Sequence, residues 1–142
     1  MTLKPRTAEA TLRVSPNDVA EADLRLADGE PAILPTSRLI ELMELAASRL
    51  MKSRLQEAET SVGVALNVTY AAHSAARGTV RAVATGAGVS GRLHRFNIHV
   101  FDESGLIASA EHTRAVIVER KLSAVARRLA GMAATSSLPS NV

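Results

Sequence analysis

Thr36-Ser37-Arg38-Leu39-Ile40-Glu41-Leu42-Met43-Glu44-Leu45-Ala46-Ala47-Ser48-Arg49-Leu50-Met51 is the stretch on which the fold turns. Leu39, Ile40, Met43, Ala46, Ala47, Leu50 and Met51 recur at the i, i+3, i+4, i+7 spacing of one helical face, and Thr36 or Ser37 is a suitable N-cap. The spacing predicts a helix from there to about residue 54. Leu42 and Leu45 lie off that stripe, so most of the circumference is apolar. Such a helix is expected where a sheet wraps one side and something else covers the other.

On the N-terminal side, residues 7–14 alternate weakly between apolar and polar and read as a first strand closed by Ser15-Pro16-Asn17. On the C-terminal side the period changes to two. Val62, Val64, Leu66, Val68 and Tyr70 are expected to face one way, and Gly63, Ala65, Asn67 and Thr69 the other. Residues 79–85, 93–101 and 106–118 repeat the pattern, with glycine-bearing turns expected at 86–91 and 102–105. Short connections imply that these four strands form an antiparallel meander. Leu122, Val125, Leu129 and Met132 mark a C-terminal helix, and residues 133–142 are expected to be a disordered tail. The order of elements gives an α+β hotdog fold, one domain over residues 1–132, in which an antiparallel sheet wraps a long central helix. A parallel doubly wound sheet is excluded because no helices separate the later strands.

Composition narrows the function classes. The chain has 142 residues, 46% of them apolar and 22% charged, which is ordinary globular usage for a single domain. The absence of cysteine removes disulfides, thiolate metal sites and cysteine nucleophiles. The opening MTLKPRTAEATLRV lacks the apolar run of a signal peptide, and no stretch approaches the ~18 apolar residues of a membrane span. A cytoplasmic protein without membrane partners is expected. The Asn67-Val68-Thr69 sequon sits in a predicted strand and is set aside. The net charge of +3 raises nucleic acid as a partner, but Tyr70, Phe96 and Phe101 are the only aromatic side chains for bases to stack on, so none is expected.

Several motifs carry no chemistry in context. Gly86-Ala87-Gly88-Val89-Ser90-Gly91 spells GxGxxG, but a strand rather than a helix follows, so it reads as a hairpin turn and no cofactor is expected. His73, His94, His99 and His112 lack ligand spacing, so no metal is expected and they read as surface or filler residues. Glu44 lies about 100° around the helix from Met43, at the border of the apolar stripe. A border carboxylate can be partly desolvated and tuned as a base, although the same position suits an ordinary rim residue.

Three blocks, residues 34–46, 61–69 and 112–117 (LPTSRLIELMELA, SVGVALNVT and HTRAVI), resemble the fluoroacetyl-CoA thioesterase family of hotdog proteins. The likeness runs in order over roughly residues 30–122. It implies a catalytic Thr ahead of the helix, a Glu eight positions on, a strand Gly near the thioester, and a His at the end of the next strand. Thr36, Glu44 and Gly63 take the first three places, while Tyr70 stands where the histidine belongs and His73 is the nearest histidine. His73 replaces the lost group, or the mechanism is altered, or hydrolysis is gone. Arg114 joins Gly63 as a substrate-binding candidate; with Arg77, Arg81, Arg92 and Arg95 it is among the arginines that could hold the phosphates of coenzyme A. The resemblance implies an acyl-CoA thioesterase acting on small or medium acyl groups; the alternative is a non-catalytic acyl-CoA or small-ligand binding protein. A hydratase is disfavoured, because no Asp and His pair flanks the helix.

Two structural expectations follow. Leu42, Leu45 and an unprotected strand edge call for a homodimer that covers them. Eight helical residues rise about 12 Å, so Thr36 must fold back from a loop over the helix, or Thr36 and Glu44 must meet from different subunits.

Overall fold

The structure, a computed structural model, describes residues 6–135. Its elements are β1 (Thr7–Arg13), α1 (Pro16–Val19), α2 (Thr36–Lys52), β2 (Glu59–Tyr70), β3 (Thr79–Ser90), β4 (Leu93–Asp102), β5 (Gly105–Val118) and α3 (Glu119–Thr135). α3 extends past residue 132 to Thr135, so residues 133–135 are helical rather than tail; the rest of the expected tail lies outside the described residues.

α2 is the predicted central helix. Pro35, in extended conformation, serves as its N-cap, and Thr36 is the first helical residue. The Ser53 hydroxyl closes the far end by donating to the Leu50 carbonyl at 2.8 Å. Leu39, Leu42, Met43, Ala46, Ala47, Leu50 and Met51 are buried against the sheet. Leu42 therefore belongs to the core of the protomer, and of the two off-stripe leucines only Leu45 is left out, 43% exposed. Small residues on both sides let helix and sheet approach: Ala46 and Ala47 face a layer that includes Ala82, Ala84, Ala108 and Ala110, while Met43, Phe96 and Ile98 fill the remaining space. Truncating Leu39 or Met43 to alanine in such a core costs about 2–5 kcal/mol.

The five strands are antiparallel in the order β1-β3-β4-β5-β2. Only β3-β4-β5 is a meander; β2 pairs with β5 instead of β3. Connection length misleads here. The eight residues 71–78 can reach about 26 Å, more than the ~14 Å needed to pass two intervening strands. The link is held by Ala71 and Ala72 amides donating to the Ile107 carbonyl and by Leu34 donating to Ser74. β1 and β2 are the two edges.

Two bulges change the expected strand pattern. β3 continues through Gly86 and Gly88, where a register shift replaces the predicted turn, and the reversal falls at Gly91, whose φ of +59° suits glycine. In β2 the register shifts between Gly63 and Ala65, leaving Val64 unpaired and exposed. The phase of the strand flips there. Gly63, opposite Arg114, and Leu66, opposite His112, come to the same helix-facing side, contrary to the uninterrupted alternation expected. No helix among the described residues is long and apolar enough to cross a membrane.

Candidate active site

The β2 bulge lets Gly63 and Leu66 share the inner face with Arg114 and His112 of β5, under the middle of α2. Arg114 is 6% exposed, and its guanidinium is held on every side. Nε donates to Ser61 Oγ at 3.0 Å, Nη2 to the Ser61 carbonyl at 3.1 Å, and Nη1 lies 3.2 Å from His112 Nε2 and 3.6 Å from Glu44 Oε2. A buried cation needs such partners. Burial lowers the Arg114 pKa, opposed by the Glu44 charge, and the group stays cationic.

His112 is 2% exposed, and its Nδ1 lies 2.8 Å from the Ala65 carbonyl. A carbonyl only accepts, so Nδ1 carries the hydrogen and Nε2 is left as acceptor for Arg114. Desolvation pushes the His112 pKa below its ordinary 6.5; the Ala65 carbonyl pulls it back, Arg114 adds to the lowering, and Glu44 opposes it. Glu44 stands at the mouth of this group, its side chain 45% exposed. Gly63 completes it: a β-carbon there would sit 3.1 Å from His112 Cε1, 3.2 Å from Glu44 Oε2 and 3.6 Å from Arg114 Nη1. Glycine keeps open the space beside the carboxylate.

A second group lies at the start of α2. The Tyr70 hydroxyl, at the end of β2, donates to Thr36 Oγ1 at 2.6 Å, and the His73 ring stacks on Tyr70 with centroids 4.8 Å apart. With its lone pair engaged by Tyr70, the Thr36 hydroxyl keeps its own hydrogen to donate elsewhere.

Of the residues singled out in the sequence, the structure thus joins Thr36, Tyr70 and His73 in one group and Glu44, Gly63 and Arg114 in another. It does not join the groups within the protomer. Thr36 and Glu44 sit on one continuous helix, so Thr36 is not on a loop folded back over it, and two turns, about 12 Å, separate them. A cleft of about 810 Å³ bounded by Val14, Val19, Arg25, Pro31 and Arg77 includes none of these six side chains. His112 is neither surface nor filler, which corrects the reading from spacing alone. Its signal in the sequence was its position two residues before Arg114 on one strand face. His94 is half-buried, with Nδ1 3.0 Å from Arg54, and desolvation followed by that charge lowers its pKa; His99 is exposed. Among the described residues no three His, Cys, Asp or Glu side chains are grouped to hold a metal. Of the other arginines considered for phosphate, Arg81 is engaged by Glu9 at 2.9 Å and lies over Phe101.

Comparison with known proteins places this architecture. The fold is the hotdog: a Thermus thermophilus protein of known structure, described as a thioesterase superfamily member, superposes with a TM-score of 0.80 over 96% of this chain and all of its own, at 21% identity. The solved fluoroacetyl-CoA thioesterase FlK superposes with a TM-score of 0.73 at 27% identity, covering 90% of this chain and 96% of that one. The profile of the family described as fluoroacetyl-CoA-specific thioesterase matches residues 14–120. The fluoroacetyl-CoA thioesterase of Streptantibioticus cattleyicolor is 34% identical over 98 residues, 69% of this chain and 70% of that protein. The chain belongs to the fluoroacetyl-CoA-specific thioesterase family, a family of acyl-CoA thioester hydrolases.

Proposed function

We propose that the protein hydrolyses small or medium acyl-CoA thioesters at sites shared between the two protomers of a cytoplasmic homodimer. The observation that carries the reading is the division of the site: a hydroxyl group at Thr36 with Tyr70 and His73, and a carboxylate at Glu44 beside Gly63 and Arg114, at two levels of one helix. A two-fold axis that sets the start of one helix beside the middle of its partner brings both sets to one thioester. The 12-residue edge strand β2 and exposed Leu45 and Val64 favour that pairing, since a long open edge is a liability when left uncovered. The lack of cysteine agrees with a cytoplasmic setting.

In this reading the thioester carbonyl lies over Gly63, where no side chain blocks it. Glu44, beside Arg114, takes a proton from a water molecule as the water oxygen bonds to the carbonyl carbon. Thr36, oriented by Tyr70, donates to the developing oxyanion. The carbon–sulfur bond breaks, and the departing thiolate takes a proton delivered through His73, giving the carboxylate and free coenzyme A. Stacking of His73 on Tyr70 supports a relocated histidine over a retired enzyme. A panel of short and medium acyl-CoAs, followed by release of free thiol, tests the reading. Turnover of at least one is expected; a chain that binds them and releases no thiol is the non-catalytic protein instead.

A further inference from the structure

The mechanism above leaves one buried titratable side chain without a role. His112 lies at the centre of the Glu44 group, 2% exposed, and toward the space over Gly63 it presents Cε1 rather than a ring nitrogen. Its two ring nitrogens are both engaged: Nδ1 by the carbonyl of Ala65, immediately past the β2 bulge, and Nε2 by Arg114 Nη1, the same nitrogen that faces Glu44. Among the described residues no other side-chain acceptor bonds that nitrogen at hydrogen-bond length, since Glu44 stands off at 3.6 Å and Ser61 takes Nε and Nη2.

We propose that His112 is a positioning residue of this active site: anchored through Nδ1–H to Ala65, its Nε2 accepts from Arg114 and thereby fixes the guanidinium against Glu44 beside Gly63. The proposal rests on the thioesterase reading of that site. Remove the acceptor and Nη1 turns toward the nearest remaining one, the Glu44 carboxylate, drawing it off the water it must activate. Protonate Nε2 and the ring becomes a donor facing a donor, a second cation against Arg114, and the pair separates. The charged groups around the ring are Arg114 on its own strand and Glu44 from α2; β2 contributes only the Ala65 carbonyl and uncharged Gly63 and Leu66. On the β4 side Phe96 is its partner, and Arg54, lying over Phe96, and His94, opposite Arg114, stand further along the row. Burial first, and then the Arg114 charge, disfavours the charged ring against the opposing pull of the Ala65 carbonyl and Glu44, so its pKa lies below the ordinary 6.5.

The test compares the pH dependence of kcat/KM for wild type, His112→Gln and His112→Leu on one acyl-CoA. Glutamine places a carbonyl oxygen near the position of Nε2 and does not titrate; leucine offers no acceptor. Wild type is expected to lose activity as pH falls through a value below the ordinary 6.5 of histidine. His112→Gln should keep activity within about fivefold at pH ~7.5 and lose the part of that acid limb that belongs to the imidazole, whereas His112→Leu should fall at least ~10-fold at every pH. If His112→Leu fails to fold, His112→Gln alone decides through the altered limb. An unchanged acid limb in His112→Gln, or full activity in folded His112→Leu, overturns the proposal. Nitrogen-15 spectra of the imidazole read the same point without turnover: hydrogen on Nδ1 at pH ~7.5 is expected, and a ring protonated on Nε2 overturns the proposal. Failure of the thioesterase reading shows differently, as a wild-type chain with the expected tautomer that releases no thiol from any acyl-CoA.

Discussion

Gly63→Ala is the sharpest perturbation of the site because the added atom has a known place. The new methyl would stand 3.1 Å from His112 Cε1 and 3.2 Å from Glu44 Oε2, whereas carbon atoms settle at about 3.5–4.0 Å, so something must move by roughly half an ångström. His112 is pinned by Ala65 and Arg114 and cannot swing. Glu44, nearly half exposed, can, and its 3.6 Å separation from Arg114 then opens further. Overpacking of this size costs about 1–2 kcal/mol, and loss of a partly screened ion pair adds little. Tm should therefore fall by roughly 3–8 °C. Catalysis should suffer more, since misplacing a reacting group by even 1 Å can cost about 10²-fold; kcat/KM is expected to drop at least that much. Thermal unfolding and thiol release on the same preparation check both numbers. Wild-type kcat/KM with a lowered Tm would show that the thioester does not lie over Gly63, and an unchanged Tm would refute the packing.

The remaining predictions concern proton transfer and stability. His73→Ala should lower kcat by at least ~10²-fold and Tyr70→Phe by about 10-fold, because one carries a proton and the other orients Thr36; fully active His73→Ala with dead Tyr70→Phe would reverse those roles. Stability should fall as pH drops below about 6.5, where the unfolded chain takes up protons that buried His112 refuses, with His94 acting in the same sense. His112→Gln should flatten that slope without abolishing it, as followed by urea unfolding at a series of pH values, and an equally steep slope would contradict the assignment.

How much of this was legible in the sequence depends on the element. α2 was, because a 3.6-residue period sustained over some four turns has no competing reading, and so were the individual strands. Strand order was not, since an eight-residue link is compatible with either neighbour. The phase of β2 was hidden by Val64, whose strong strand propensity disguises an unpaired bulge residue as a ladder residue. That one insertion concealed the meeting of Gly63, Arg114 and His112. Gly86 and Gly88 misled in the opposite way, reading as a turn where they form a bulge. Thr36, Glu44, Gly63 and Tyr70 were reached through the family resemblance, and spacing alone would have left Glu44 more readily a rim residue than a base.

The division of the site between protomers is tested most directly by mixing defects. Thr36→Ala and Glu44→Gln should each lower kcat by at least ~10²-fold when alone. Unfolded and refolded together in equal amounts, they form statistical dimers, half of them mixed, and each mixed dimer carries one site with both residues intact and one with neither. Free-thiol release is then expected to recover to about a quarter of the wild-type rate, as two-fold symmetry requires. A mixture no more active than its parents, in a preparation that light scattering shows to be dimeric, would place Thr36 and Glu44 in separate duties within one protomer and contradict the account.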